Sequence, residues 1–218
     1  MMIYYLIVGL SYVIAIAAGI GLWKLRQADE SYYPIIVLAC VATLNELLST
    51  ILSYTIHSTV VNNNIYVLVE AVIIVWQFSR WKLFGGRNKV YVIITFAMVA
   101  LWIIERIYLT KASDLSILCR IIFSFIIVFM SMVMCSKVIL EYSNNLWKQS
   151  SFLICVGFCV FFSYKIITET LWLYGIEKSD SLLMELIYIM TVINLLVNVL
   201  FCLAILWIPE KPRYIMSS

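Results

Sequence analysis

Charged residues are scarce in this sequence, and histidine, proline and glycine are scarcer still. Of its 218 residues only 12% are charged, against 64% hydrophobic. A soluble domain averages about 25% charged and 45–50% apolar residues. One buried core with a wet surface is therefore excluded, and the surrounding solvent must itself be apolar. The single histidine, His57, rules out an intrachain metal site built on two or three histidines, and with it zinc-dependent hydrolysis of that kind. Pro34, Pro209 and Pro212 all stand outside the middle of the long apolar runs, and only Gly9 and Gly157 lie well inside one. The Gly and Pro interruptions expected of broken transport helices are thus few. No phosphate loop, dinucleotide fingerprint or nucleophile elbow occurs. No cofactor is implied, and a net charge of +3 carried by loop residues gives no reason to expect nucleic acid. N-x-S/T acceptor sites are also missing, as suits a bacterial inner membrane.

The six cysteines (Cys40, Cys119, Cys135, Cys155, Cys159 and Cys202) all fall inside apolar stretches, so they form no disulfide framework. Cys155 and Cys159 are neighbours on one helical face, without the spacing of a redox motif. They read as small packed residues.

What is present is a succession of apolar runs, each near the roughly 20 residues that span a bilayer. They lie at about 2–23, 33–56, 63–84, 90–110, 115–137, 149–174 and 181–207. The breaks carry turn and charge signals: Lys24 to Glu30, the Asn62-Asn63-Asn64 run, Gly85 to Asn88, Lys111 to Asp114, Glu141 to Lys148, and Glu177 to Asp180. The expected fold is an all-α integral membrane bundle of seven helices, forming one domain over residues 1–218. The first run is not a signal peptide, because its basic residues Lys24 and Arg26 follow it rather than precede it.

Loop charge orients the bundle. Lys24, Arg26, Arg80, Lys82, Arg87, Lys89, Lys137, Lys148, Lys211 and Arg213 would share one side, and Arg106, Lys111 and Lys178 the other. Basic residues favour the cytoplasmic side, which puts the N-terminus outside and the C-terminus in the cytoplasm. Trp23, Trp81, Trp147, Trp172 and Trp207 lie near run ends, as interfacial anchors do. A three-plus-one-plus-three plan of parallel repeats would place a polar residue and then a glutamate in corresponding helices, here Glu46 and Glu70, then Lys165 and Glu185.

Eight ionisable residues lie within the runs: Glu46, Glu70, Glu105, Arg106, Arg120, Lys165, Glu169 and Glu185. Each costs about 2.5–3.5 kcal/mol at the bilayer centre, so they should face the bundle interior and pair. Glu46 falls near the midplane, Lys165 slightly outward, and the rest in the outer half. This depth pattern predicts a polar cavity open to the outside and closed below by an apolar plug. Helical geometry puts Glu46, Thr50, Ser53 and His57 on one face of the second run, and Asn63, Tyr66, Glu70 and Gln77 on one face of the third. Thr191, Asn194 and Asn198 share a face of the seventh, with Glu185 turned away from it, toward Arg120 or Lys165. Lys165 and Glu169, four apart, share a face with Phe158 and Trp172 and would neutralise each other. Glu105, Arg106 and Arg120 are close enough to the outer interface to snorkel. Buried pairs of this kind also serve as glue between helices, but five glutamates against three bases leave the charge unbalanced.

The residues expected to bind a ligand or ion are Glu46, Glu70, Lys165, Glu169, Glu185 and Arg120, with His57 at the mouth. A nucleophilic triad from Glu46, Ser53 and His57 is excluded, since Glu46 and Ser53 lie about 10 Å apart along one helix. Paired prolines, as in sugar transporters built from three-helix repeats, are missing. So is a lysine in the seventh helix, as in microbial rhodopsins. Four functions stay open. The first is a small-solute or proton-coupled transporter. A seven-helix sensor would need a separate membrane or cytoplasmic partner protein, because the loops are short. An enzyme on lipid-linked substrates would use Glu46 or Glu70 as acid or base. A structural subunit would use its polar residues only for assembly.

Overall fold

In a bilayer every backbone polar group must be satisfied within its own segment, so an apolar run stays helical until water and turn residues release it. The computed structural model describes residues 9–86, 88–109, 114–141, 145–174 and 180–211. Their helices are α1 (Val13–Lys24), α2 (Tyr33–Thr55), α3 (Val60–Arg80), α4 (Asn88–Ile104), α5 (Ile117–Glu141), α6 (Ser150–Leu173) and α7 (Asp180–Leu206). The six helices α2 to α7 are long and apolar enough to cross a membrane. Apolar helix also covers Gly9–Lys24, and the start of the expected first run lies outside the described residues. The chain is therefore a multi-pass bundle in contact with lipid. Its surface agrees: Phe96 is 73% and Leu140 86% exposed, a placement only an apolar solvent favours.

Local chemistry sets the ends. Pro34 opens α2, where its missing N–H is no loss. Its neighbour Ile35 donates its N–H to Gln77 Oε1 at 2.8 Å, and Gln77 Nε2 donates to the Ser31 carbonyl at 2.7 Å. One buried amide of α3 thus caps the start of α2. After Arg80 the chain turns through Lys82, Gly85 and Gly86, all at positive φ.

The Asn62-Asn63-Asn64 run is not a break. It occupies the first turn of α3, which begins at Val60. There Asn62 Nδ2 donates to Asn45 and Ser49 at 2.8 and 3.0 Å, and Asn63 Nδ2 to Thr59 at 3.2 Å. Asn64 receives the Ser116 N–H at 3.0 Å and donates to the Asp114 carbonyl at 3.0 Å. Three asparagines signal a turn in water. Here Asn62 and Asn64 find partners on other segments, and Asn63 on the residue that caps its own helix.

Glu105 does not snorkel. It is 3% exposed and accepts the N–H groups of Leu118 and Cys119 at 3.0 and 2.8 Å. A carboxylate at the start of α5 satisfies orphan donors and complements the helix dipole. Trp81 is likewise no lipid anchor. It is buried, edge-on to Tyr32 and Phe78 with ring centroids 5.5 and 5.9 Å apart.

The helices form a ring in which neighbours in sequence pack together, α3 also meets α5, and α7 closes against α1. α4 sits at the rim, packed mainly on α3. Close approach of α1 to α2 depends on Gly21, where a Cβ would lie 2.9 Å from Ile36. Ala17, Ala18 and Gly21 are the buried face of α1, while Gly19 is exposed.

Lys24, Arg26, Arg80, Lys82, Lys89, Lys137, Lys148 and Lys211 gather at one end of the ring, hereafter the basic end. Arg87, Lys111, Lys178 and Arg213 lie outside the described residues. A latch closes the basic end. Asp29 N–H donates to the Pro209 carbonyl at 3.0 Å, and Lys211 N–H to the Gln27 carbonyl at 2.8 Å, around a bridge of Ala28 with Glu210. Glu30 adds exposed ion pairs to Lys211 and Arg80, at 3.3 and 4.0 Å. Lys24 Nζ donates to the Leu206 carbonyl. Hydrogen bonds from Ser31 to Asp29 hold that carboxyl below its usual range.

Candidate functional site

A cavity of about 450 Å³ opens inside the ring between α1, α2, α3, α6 and α7. Its polar wall is made by Ser11, Glu46, Tyr66, Glu70, Lys165 and the asparagines of α7. Toward the basic end the wall turns apolar, with Ile35 and Leu38 of α2, Phe158 of α6, and Phe201 and Ile205 of α7. Phe158 is the hinge of this apolar part, packing on Phe78, Phe162 and Phe201 with centroids 6.2, 6.1 and 5.4 Å away. Gly157 lets Phe201 in, since a Cβ there would stand 2.8 Å from its ring.

Lys165 does not neutralise Glu169 on its own helix. Its Nζ lies 3.0 Å from Glu70 Oε2 on α3, and both side chains are 10% exposed. The ammonium also sits 5.6 and 5.2 Å from the ring centroids of Phe161 and Phe162. Tyr66 OH donates to the other Glu70 oxygen at 3.2 Å. Such a pair is electrically closed: the base is used, and each carboxylate oxygen has a donor.

Glu169 instead receives Arg120 Nη1 at 3.1 Å, with side chains 12% and 11% exposed. Arg120 therefore does not snorkel. Its Nε and Nη2 are buried and find no hydrogen-bond partner among the described residues. Neither residue lines the cavity. Their pair ties α5 to α6 beside it.

Glu46 differs from both. Ser11 Oγ donates to its Oε2 at 3.0 Å, and no base among the described residues pairs with it. One turn on, Thr50 shares a hydrogen bond with Tyr12 OH at 2.9 Å, so this face of α2 is read by α1. The expected stripe from Glu46 does not reach a mouth at His57. α2 ends at Thr55, and His57 is exposed at φ 56°.

Glu185 meets neither Arg120 nor Lys165, which are engaged elsewhere. It is exposed on α7, while Thr191, Asn194 and Asn198 turn to the cavity. Of the seven expected site residues, the fold brings Glu46, Glu70 and Lys165 to one cavity wall. It sets Arg120 and Glu169 beside that wall and leaves Glu185 and His57 outside. Ser11 was not anticipated. Its signal was the one serine in a nearly uniform apolar run.

Between α5 and α6, Cys135 lies near Cys155 and Cys159. All six cysteines are free, and among the described residues no group of histidine, cysteine, aspartate or glutamate is arranged to hold a metal. No family model matches the chain, and neither a curated protein nor a solved structure shows detectable similarity to it.

Proposed function

We propose that this chain is a seven-helix transporter of a small polar or charged solute, coupled to protons, in a cell membrane and specifically a bacterial inner membrane. The observation that carries the reading is the combination of Glu46 and the cavity. A carboxylate with no basic partner among the described residues faces a cavity whose other two charges, Glu70 and Lys165, pair with each other. An intramembrane carboxylate is costly, and its common uses are ion and proton pathways. The cavity volume lies in the range of small-molecule sites, about 300–1,000 Å³.

In this reading the basic end faces the cytoplasm and the N-terminus lies outside, following the loop charges. The apolar wall between Ile35 and Ile205, with the latch beneath it, is the closed inner gate of an outward-facing state. α1–α3 and α5–α7 are two parallel repeats joined by α4. Supporting that plan, the contacts α3 with α5 and α7 with α1 exchange under a two-fold relating the halves, and α4 stays at the rim.

The test is purified protein in liposomes holding a pH dye. Proton movement driven by one member of a panel of amines, amino acids and sugars is expected, and its loss in Glu46→Gln. A folded protein that binds a solute but moves neither solute nor proton is a receptor, and the transport reading falls.

A further inference from the structure

The cavity wall carries three ionisable groups of opposite sign that do not cancel. Lys165 is held by Glu70 at 3.0 Å, and the remaining Glu70 oxygen is held by Tyr66. Glu46 is left over. An ionised carboxylate accepts about four hydrogen bonds, and among the described residues Glu46 receives one, from Ser11 to Oε2. An anionic solute would meet this carboxylate with Lys165, the only cation lining the cavity among the described residues, already engaged. A neutral solute would leave the ionised form without a counter-charge and would fit only the protonated one. A cation would complete it.

The rest of the wall suits the same guest. Phe161, Phe162 and Trp172 share the wall with the polar groups, and ring faces attract ammonium groups, more so where water is excluded. Asn194 and Asn198 offer carbonyl acceptors. From Glu46 to Ile35 the lining of α2 runs through Ala42, Ala39 and Leu38, a drop of roughly 16 Å at 1.5 Å per residue. That stretch has no charged group and ends against Phe201 and Ile205. The space is long, apolar at one end and negative at the other.

We propose that the cavity selects small amphipathic ammonium compounds, with the ammonium N–H groups on the Glu46 carboxylate and the apolar body laid toward Phe158 and Phe201. This rests on reading the cavity as a solute site, but not on transport. It names the charge of the guest, which the transport reading leaves open.

Three compounds of matched shape decide it: 2-phenylethylamine, 2-phenylethanol and phenylacetate, titrated calorimetrically into the full chain in nanodiscs. The amine is expected to bind at least about tenfold tighter than the alcohol, a difference of about 1.4 kcal/mol, and phenylacetate not at all. Glu46→Gln should bring the amine down to the affinity of the alcohol. Glu46→Asp, which keeps the charge, should retain the amine preference and guards against a folding defect in the glutamine variant. Phenylacetate binding as well as the amine, an amine affinity untouched by Glu46→Gln, or no amine binding at millimolar concentration to folded protein each overturns the proposal. Amine binding without flux keeps it and removes transport. Flux of carboxylates alone keeps transport and removes it.

Discussion

Removing Lys165 should cost more than removing Lys165 and Glu70 together. The pair is buried, 3.0 Å apart, with both side chains 10% exposed. In Lys165→Met, Glu70 keeps only the Tyr66 hydroxyl, and a carboxylate stays in an apolar wall without its counter-charge. Breaking a buried pair from one side costs about 3–5 kcal/mol, whereas replacing both partners by apolar residues is often close to neutral. The lower end of that range applies here, because an unfolded membrane chain still finds polar partners in the bilayer. Lys165→Met and Glu70→Met are each expected to lose about 3 kcal/mol, and the double variant about 1 kcal/mol. For a chain of this size 1 kcal/mol moves the midpoint by roughly 2–4 °C. Each single variant should then unfold roughly 6–12 °C lower, and the double variant should recover most of the loss. The assay is reversible unfolding in mixed micelles followed by near-UV dichroism, for wild type, both singles and the double. Costs that add to within about 0.5 kcal/mol would show that the two side chains do not sense each other, and the electrostatic account of the cavity wall would fail with them.

Other expectations follow from the same contacts. Glu169→Leu should destabilise more than Arg120→Leu, because it strands a buried guanidinium, while losing Arg120 also removes two donors that have no partner among the described residues; the same unfolding assay ranks them. Gln77→Leu should cost about 1–3 kcal/mol, since the Ile35 N–H and the Ser31 carbonyl lose their partners, with exchange of the Ile35 amide as the local readout. Gly157→Ala must move the Phe201 ring and should cost about 1–3 kcal/mol by overpacking; amine titration should show weaker binding, and unchanged affinity would mean that Phe201 does not shape the cavity. Asp29 has a folded-state pKa below its unfolded value, so its contribution is complete above the ordinary carboxylate range, near 3.9, and is lost as pH falls through the lower folded value. The protection of the Asp29 and Lys211 amides, taken relative to their intrinsic exchange rates at each pH, should therefore fall on acidification, and Asp29→Asn should remove that acid dependence.

Helix positions were legible because length and hydropathy suffice for them. The run expected at about 149–174 is α6, Ser150–Leu173, and that at about 181–207 is α7, Asp180–Leu206. Partner choice was not legible. Sequence distance favoured Lys165 with Glu169, one turn away. The observed partner, Glu70, is 95 residues off, and only the closing of the ring around the cavity brings α3 and α6 within reach of each other. Glu105 misled for a related reason. Its nearness to the interface suggested snorkelling, while the unsatisfied N–H groups at the start of α5 are invisible until that helix has a place. Polar residues spaced along a face could be read: Thr191, Asn194 and Asn198 do turn to the cavity, and Glu185 does turn away.

The latch joins residues near Ala28 to residues near Glu210, and α7 supplies the longest cavity wall, from Leu186 to Ile205. Of the helices that enclose the cavity, α7 is the last to be made. At about 5–20 residues per second, α1 and α2 wait some ten seconds or more in the membrane before it follows. Through that interval Glu46 has Ser11 beside it but no opposite wall, and the side of α1 that will meet α7 faces lipid or a temporary protein neighbour. Ring closure is thus a late event in biogenesis. A defect in α7 or in the latch should leave an inserted, helical and still unfinished protein, one that membrane quality control can recognise by a carboxylate it would never see in the mature form.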